Sequence, residues 1–372
     1  MKTILFLIPS LGGGGAERVL VNLVNNLDKT KYEITVQTLF DVGVNRNYLD
    51  KHIKYIPGFC KQFQGNTKVL KILSPNSLYR LLLKKRYDIV VSYLEGPTAR
   101  IVAGCPYIHT KLINWIHVEQ HTIQTAAHSF RSVEEARKCY ERYNKTICVA
   151  KTVKEDFLSL FPTVKDCEVL YNTNEDSEIV VKARERVDDV GFSDEINIIS
   201  VGRLRTEKGY DRLVKVHKRL LKQGINHHIY ILGNGSEEDA LKKMIGDYGV
   251  ESTFHLLGFH ANPYKYVSKA DLFVCSSRRE GFSTAVTEAL IMGIPVVSTL
   301  CSGAKELLGD NNEWGIVTEN SEEGVFDGLY KMLATPGLLE QYREKAKERG
   351  KFFSKDNTVK AVENMFDNLL KE

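Results

Sequence analysis

A chain of 372 residues is too long for one ordinary domain and suits two. Its 43% hydrophobic and 26% charged residues exclude a disordered or fibrous protein and leave a globular one with sizeable cores. The net charge of +4 hides an asymmetry: residues 1–170 carry 24 Lys and Arg against 15 Asp and Glu, the remainder 27 against 32.

The N-terminal Met1-Lys2-Thr3-Ile4-Leu5-Phe6-Leu7-Ile8 could pass for the start of a leader peptide. Pro9 and a glycine run follow at once, however, and no small-residue cleavage site stands where one is needed. Thr3–Ile8 therefore reads as a first buried parallel strand. Gly12-Gly13-Gly14-Gly15-Ala16-Glu17 then opens a helix on which Val19, Leu20, Leu23, Val24 and Leu27 share a face. Tyr32–Phe40 is the second strand. The glycine loop presents backbone amides at a helix N-terminus, a seat for anions. It is not a nicotinamide fingerprint, because Glu17 stands where the third glycine of G-x-G-x-x-G belongs, although Asp41 does end the second strand.

Lys51–Arg86 holds nine basic residues and no acidic one, interleaved with Tyr55, Phe59, Phe63 and Tyr79. Val69–Leu73 and Leu78–Leu83 read as helices around Ser74-Pro75-Asn76. The stretch fits a solvated face, and it also fits a surface for anionic lipid, where each nearby cation adds on the order of 1 kcal/mol. No nucleic-acid recognition motif accompanies it. Asp88–Tyr93 is a strand followed by Glu95-Gly96-Pro97 and an apolar helix. Lys111–His117 is a strand that sets His117 at the carboxyl end of the sheet. His121 follows four residues on, but no third ligand joins the pair and no metal site is expected. Ile147–Ala150, the helix Thr152–Leu160 and Glu168–Asn172 complete the first half.

Residues 174–195 are polar and read as a linker. A second alternating pattern follows. Ile196–Val201 is a strand ending in Gly202-Arg203-Leu204-Arg205-Thr206-Glu207-Lys208-Gly209. The helix Tyr210–Lys222 and the strand His228–Leu232 come next. The helix Glu237–Tyr248, the strand Phe254–Leu257, a helix near Tyr264–Ala270 and the strand Ala270–Cys275 follow. Glu280 and Glu288 then flank a loop that becomes the helix Thr284–Met292, which Gly293 stops. Pro295–Ser298 and Gly315–Val317 are further strands, and the helices Glu322–Leu333 and Asp356–Leu370 end the chain. Seven cysteines (Cys60, Cys105, Cys139, Cys148, Cys167, Cys275 and Cys301) lack C-x-x-C spacing and read as reduced core thiols of a cytosolic protein.

Glu280 lies at the carboxyl end of a parallel strand, where open sheets bind ligands. Gly281 permits close backbone approach, and the N–H groups of Phe282, Ser283 and Thr284 favour an anion such as phosphate. Arg203 and Lys208 lie on the same side of the sheet. Two cations beside helix-N-terminal amides suit a diphosphate.

Together these residues resemble the retaining glycosyltransferases of the GT-B fold, glycosyltransferase family 4. The marks are G-G-G-A-E-R-V at 13–19, V-G-R-L-R-T-E-K-G at 201–209, L-G-N-G at 232–235 and L-G-F-H at 257–260. The strongest is S-S-R-R-E-G-F-S-T-A-V-T-E-A-L-I-M-G-I-P-V-V at 276–297. The resemblance implies two Rossmann-like, doubly wound α/β domains facing across a cleft. Residues 1–173 would form the acceptor-side domain and 196–352 the nucleotide-sugar domain, with a helix in 353–372 crossing back to the first. Leu170-Tyr171-Asn172-Thr173-Asn174 stands where the family often has a Y-N-P or Y-N-G turn.

By the same resemblance the donor is a nucleotide-diphosphate sugar, UDP before GDP, and a hexose or N-acetylhexosamine moves with retention to a glycan acceptor. Arg203 and Lys208 would neutralise the diphosphate. Glu280 and the amides of Gly281, Phe282 and Ser283 would hold sugar and phosphates, and Glu288 the ribose. The loop Gly258-Phe259-His260 would face the base. Gly13 and Gly14 would approach the diphosphate, and His117 would contact the donor sugar. No D-x-D occurs, so neither a metal nor another cofactor is expected. The basic stretch 51–86 adds the expectation of a cytoplasmic protein held peripherally at the inner face of a membrane, with a polyprenol-diphosphate-linked acceptor for bacterial surface polysaccharide. Two alternatives share the architecture: a nucleotide-sugar epimerase, against which E-G-F-S-T…E speaks, and a non-catalytic nucleotide-sugar-binding partner, against which intact Arg203, Lys208, Glu280 and Glu288 speak.

Overall fold

The apolar run after Lys2 forms the strand β1 (Lys2–Ile8), with Ile4 to Ile8 all fully buried. The structure, a computed structural model, describes residues 1–12, 14–59 and 70–371. Gly13, Cys60, Phe63 and the start of the helix expected at Val69–Leu73 lie outside the described residues. The chain divides into two units, Met1–Asn174 with Asp356–Glu372, and Glu175–Lys355.

The first unit carries a seven-stranded parallel sheet. Its strands are β1, β2 (Tyr32–Thr38), β3 (Lys54–Ile56), β4 (Ile89–Tyr93), β5 (Lys111–Ile116), β6 (Lys145–Cys148) and β7 (Cys167–Val169), in the order β3-β2-β1-β4-β5-β6-β7. Their short, continuously apolar sequences suit strands covered on both faces. The helix Gly15–Asn26 buries Val19, Leu20, Leu23 and Val24. The helix Lys355–Leu369 buries Val359, Val362, Met365, Phe366 and Leu369. Its Phe366 ring stands edge-on to Phe6 and Tyr32, and Tyr32 donates to Asp367 at 2.6 Å. Each such fully buried side chain contributes roughly 1.5–3 kcal/mol.

The second unit carries a six-stranded parallel sheet of β8 (Ile196–Val201), β9 (His227–Leu232), β10 (Phe254–Gly258), β11 (Leu272–Cys275), β12 (Val296–Thr299) and β13 (Ile316–Thr318). Its order is β10-β9-β8-β11-β12-β13. Leu213, Val216 and Leu220 of the helix Tyr210–Lys222 pack with Ile198, Ile229 and Val274 in its core. Both sheets wind outward in two directions from their first strand. The topological switch points therefore fall between β1 and β4, and between β8 and β11, and ligands of such sheets bind outside the carboxyl ends there.

Three elements depart from the sequence reading. The span 174–195 contains the helix Asp176–Ala183, tied into the second unit by Asn262 and Ser268, which donate to the carbonyls of Lys182 and Ala183. The helix Leu338–Phe352 was not expected; only Tyr342, Ala346 and Gly350 of it are buried, too thin a stripe to read. The edge strand β3 lies inside the basic stretch. All six described cysteines are free, and no described helix is long and apolar enough to cross a membrane.

Candidate active site

The loops after β8 and β11, on either side of the second switch point, bring Lys208 and Glu280 together. Lys208 Nζ lies 2.5 Å from Glu280 Oε1, and Ser277 Oγ donates to the same oxygen at 2.7 Å. Burial is the largest single influence and works against the ammonium, but the Glu280 charge, Cys275, the hydrogen bond to Glu280 and Tyr210 together exceed it and hold the Lys208 pKa above its ordinary value. The loops are cross-braced. Arg278 donates to both carboxylate oxygens of Asp211 at 2.7 Å and to the Thr206 carbonyl at 2.9 Å. The Arg278 N–H reaches the Glu207 carbonyl at 2.7 Å, and Ser276 Oγ the Lys208 carbonyl at 2.9 Å.

Glycines permit this packing. Gly209 has φ +65°, and a Cβ there would fall 2.2 Å from the Ser276 carbonyl oxygen. Gly233 has φ +140°, and its Cβ would meet the Gly202 carbonyl at 2.0 Å. The L-G-N-G motif is thus the place where the β9 loop closes on the β8 loop.

Ser283 caps the helix Thr284–Ile291, its hydroxyl accepting from the Val286 N–H. The first turn of that helix offers main-chain N–H donors beside Gly281. Phe282 is buried with its ring 5.8 Å from Phe353. Glu288, farther along the same helix, accepts from the Tyr264 hydroxyl at 3.0 Å. Arg203 is exposed on the β8 loop. Gly258 ends β10 with φ +76°, and Phe259 beside it is exposed. His260 Nδ1 lies 2.8 Å from the Tyr266 hydroxyl, which donates to Asp189 at 2.5 Å.

In the first unit, Gly14 is the N-cap of the helix Gly15–Asn26. A Cβ on Gly14 would fall 2.2 Å from Glu17 Oε2, so a carboxylate of this chain lies against the glycine loop. Gly13 is outside the described residues. His117 follows β5 and is buried, and its Nε2 has no hydrogen-bond partner among the described residues. Burial pushes its imidazole down to about 3, so the ring is neutral at physiological pH.

Two family models cover the chain: Glycosyltransferase Family 4 over residues 13–173 and Glycosyl transferases group 1 over residues 182–349. A relative in Campylobacter jejuni, N-acetylgalactosamine-N,N'-diacetylbacillosaminyl-diphospho-undecaprenol 4-alpha-N-acetylgalactosaminyltransferase, is 30% identical over 95% of this chain and 96% of its own length. The chain belongs to the group 1, family 4 glycosyltransferases. A second Campylobacter jejuni relative, a GalNAc-alpha-(1->4)-GalNAc-alpha-(1->3)-diNAcBac-PP-undecaprenol alpha-1,4-N-acetyl-D-galactosaminyltransferase, is 26% identical over 95% of each chain. Among solved structures, Anabaena HepE in complex with UDP superposes with a TM-score of 0.79 at 19% identity, over 99% of this chain and 100% of its own, which gives the GT-B fold.

One feature next to His117 was not singled out by the motifs. Glu95, after β4, accepts the main-chain N–H of His117 at 3.0 Å. Burial raises its pKa, partly offset by the N–H groups of His117 and of Glu95 itself. Leu94 and Gly96 on either side have φ of 105° and 97°. A leucine in that region is strained, and such strain gathers at functional sites. The sequence signal was Glu-Gly-Pro directly after a strand.

Proposed function

We propose that this glycosyltransferase moves an N-acetylhexosamine from a UDP-sugar to a polyprenol-diphosphate-linked oligosaccharide, with retention of anomeric configuration, in bacterial surface glycan synthesis. The observation that carries the reading is the Lys208–Glu280 pair at the switch point of the second sheet. The full-length likeness to an undecaprenol-diphosphate-dependent enzyme supports the acceptor class.

Breaking a glycosyl–phosphate bond builds negative charge on the diphosphate and positive charge on the sugar carbon. Lys208, Arg203 and the amides at the start of the helix Thr284–Ile291 are donors for the first. Glu280 lies against the second and orients the sugar hydroxyls. Glu288 holds the ribose, and the Gly258–His260 loop meets the base. His117, neutral and with no partner for Nε2 among the described residues, serves as a hydrogen-bond partner for the sugar rather than as a charge. The leaving phosphate takes the acceptor proton.

Contact with an anionic membrane belongs to the same reading. Arg80, Lys84, Lys85 and Arg86 are exposed in the first unit, and Ile72, Leu81 and Ile108 are exposed apolar side chains there. Arg86 lies over the Tyr107 ring, next to Ile108 in sequence, at 5.8 Å. Exposed cations and apolar tips on one unit suit an interfacial surface.

The test is purified protein with a panel of UDP- and GDP-sugars and undecaprenol-diphosphate-linked N-acetylgalactosaminyl acceptors. Acceptor-dependent UDP release with an α-linked product supports the reading. Turnover of nucleotide sugar without acceptor, or a β-linked product, contradicts it. Co-sedimentation with vesicles of anionic lipid, lost on replacing Lys84, Lys85 and Arg86 with Ala, tests the membrane surface.

A further inference from the structure

The Glu280 loop is gripped from below by an arginine that the proposed chemistry leaves unused. Arg212, on the helix Tyr210–Lys222, is 5% exposed. Its Nε and Nη2 donate to the Ser276 carbonyl at 2.9 and 2.6 Å. Nη2 also reaches the Ser277 carbonyl at 2.8 Å and Asn320 Oδ1 at 2.9 Å. No described carboxylate is within ion-pair distance of Arg212; the neighbouring Asp211 is taken by Arg278 at 2.7 Å. Desolvating a guanidinium is costly, and Arg212 directs its donors onto the main chain of the loop that carries Glu280.

Ser277 links this grip to the site. Its carbonyl accepts from Arg212 and from Thr299 Oγ1, the latter at 2.6 Å. Its hydroxyl donates to the Glu280 oxygen that Lys208 meets. A Cβ at Gly209 would fall 2.8 Å from Arg212 Nε, so the arrangement has little slack.

We propose that Arg212 is a positioning residue for sugar transfer, fixing the two carbonyls after β11 so that Ser277 sets Glu280 against Lys208. Arg212 acts through Ser277 and Glu280 and touches neither donor nor acceptor. The inference rests on the reading of Lys208 and Glu280 as the donor site. A lysine keeps the charge but not the planar fork, so Arg212→Lys loses the two-carbonyl grip.

The test is a double-mutant cycle of Arg212→Lys and Glu280→Gln in the full-length protein. Transfer is measured with UDP-N-acetylgalactosamine and an undecaprenol-diphosphate-linked N-acetylgalactosaminyl acceptor, and thermal unfolding is followed in parallel. Arg212→Lys is expected to lower kcat by about tenfold or more, with the donor KM within about threefold. In the Glu280→Gln background the same change is expected to alter the rate by less than about twofold, because the two act as one unit. An equal factor in both backgrounds, or full activity of Arg212→Lys alone, overturns the positioning role. Glu280→Gln at wild-type rate overturns the reading of the site itself, which separates the two failures. If Arg212→Lys does not fold, Ser277→Ala takes its place in the cycle with the same expected non-additivity, since it removes only the hydroxyl that reaches Glu280.

Discussion

Lys208 and Glu280, 72 residues apart in sequence, meet at 2.5 Å across the switch point of the second sheet. The ammonium proposed to receive a diphosphate is therefore already occupied by the carboxylate proposed to receive the sugar. Donor binding has to divide this pair between two parts of one ligand.

A consequence follows for binding without the sugar. Glu280→Gln releases Lys208 from its counter-charge, and a half-buried cation left alone gains more from an incoming anion. Free UDP is expected to bind the variant more tightly than the wild type, by about tenfold, or roughly 1.4 kcal/mol. Isothermal titration with UDP measures this. Weaker binding of UDP to Glu280→Gln would show that Glu280 supports the diphosphate end of the ligand.

The reverse substitution strands the other partner. Lys208→Met leaves Glu280, whose side chain is 14% exposed, without its cation. Breaking a half-buried pair in this way costs about 1–3 kcal/mol, between the values for exposed and buried pairs. A lowered unfolding midpoint is expected, together with loss of UDP affinity. An unchanged midpoint would mean that solvent already screens the pair.

Much of this site was legible in the sequence. The alternation of apolar runs and helices placed Arg203, Lys208 and Glu280 on the loops at strand ends and Glu288 more than one turn into the following helix, and strand order then gave which ends are neighbours. What was not legible were the supports. Arg212 sits on an amphipathic helix among Lys215, Lys218 and Arg219, where an arginine reads as a surface charge, and only the fold buries it. Glu95 accepts the main-chain N–H of His117, a contact that the Glu-Gly-Pro after β4 marks only as a loop. The short helix Asp176–Ala183 buries only Ile179, so its polar sequence read as a connector.

Gly209 tests the close approach of the two loops. Its φ is +65°, and an alanine Cβ at this position would fall 2.2 Å from the Ser276 carbonyl oxygen, so Gly209→Ala brings both a backbone penalty and a clash. Together they are expected to cost about 2–4 kcal/mol. Chemical denaturation measures the loss, and a cost under about 1 kcal/mol would mean that the loops separate easily.

Acid sensitivity has a specific source. His217 is fully buried and bonds His227 and Thr253, each at 2.8 Å. Burial first, and then His227, His228, His255 and Lys218, push its pKa from 6.5 down to about 3. A depressed histidine binds protons in the unfolded chain before it does in the folded one. Stability is thus lost as pH falls below about 6.5, by about 2 kcal/mol between pH 7.5 and 5 for this residue alone. His217→Gln should lessen the pH dependence of the unfolding free energy by that amount. An unaltered slope would place the sensitivity elsewhere.

Glu288 should separate binding from chemistry. If it holds the ribose in ground and transition states alike, Glu288→Gln raises the donor KM by about tenfold and leaves kcat within about twofold. A fall in kcat at unchanged KM would assign it to the reacting end instead.

The most direct test of the proposed function is transfer itself, wild type beside Glu280→Gln, with UDP-N-acetylgalactosamine and the undecaprenol-diphosphate-linked acceptor. Acceptor-dependent UDP release and an α-linked product are expected for the wild type, and a loss of about 100-fold or more in the variant. Equal rates for the two proteins would contradict the assignment of Glu280 to the reacting centre.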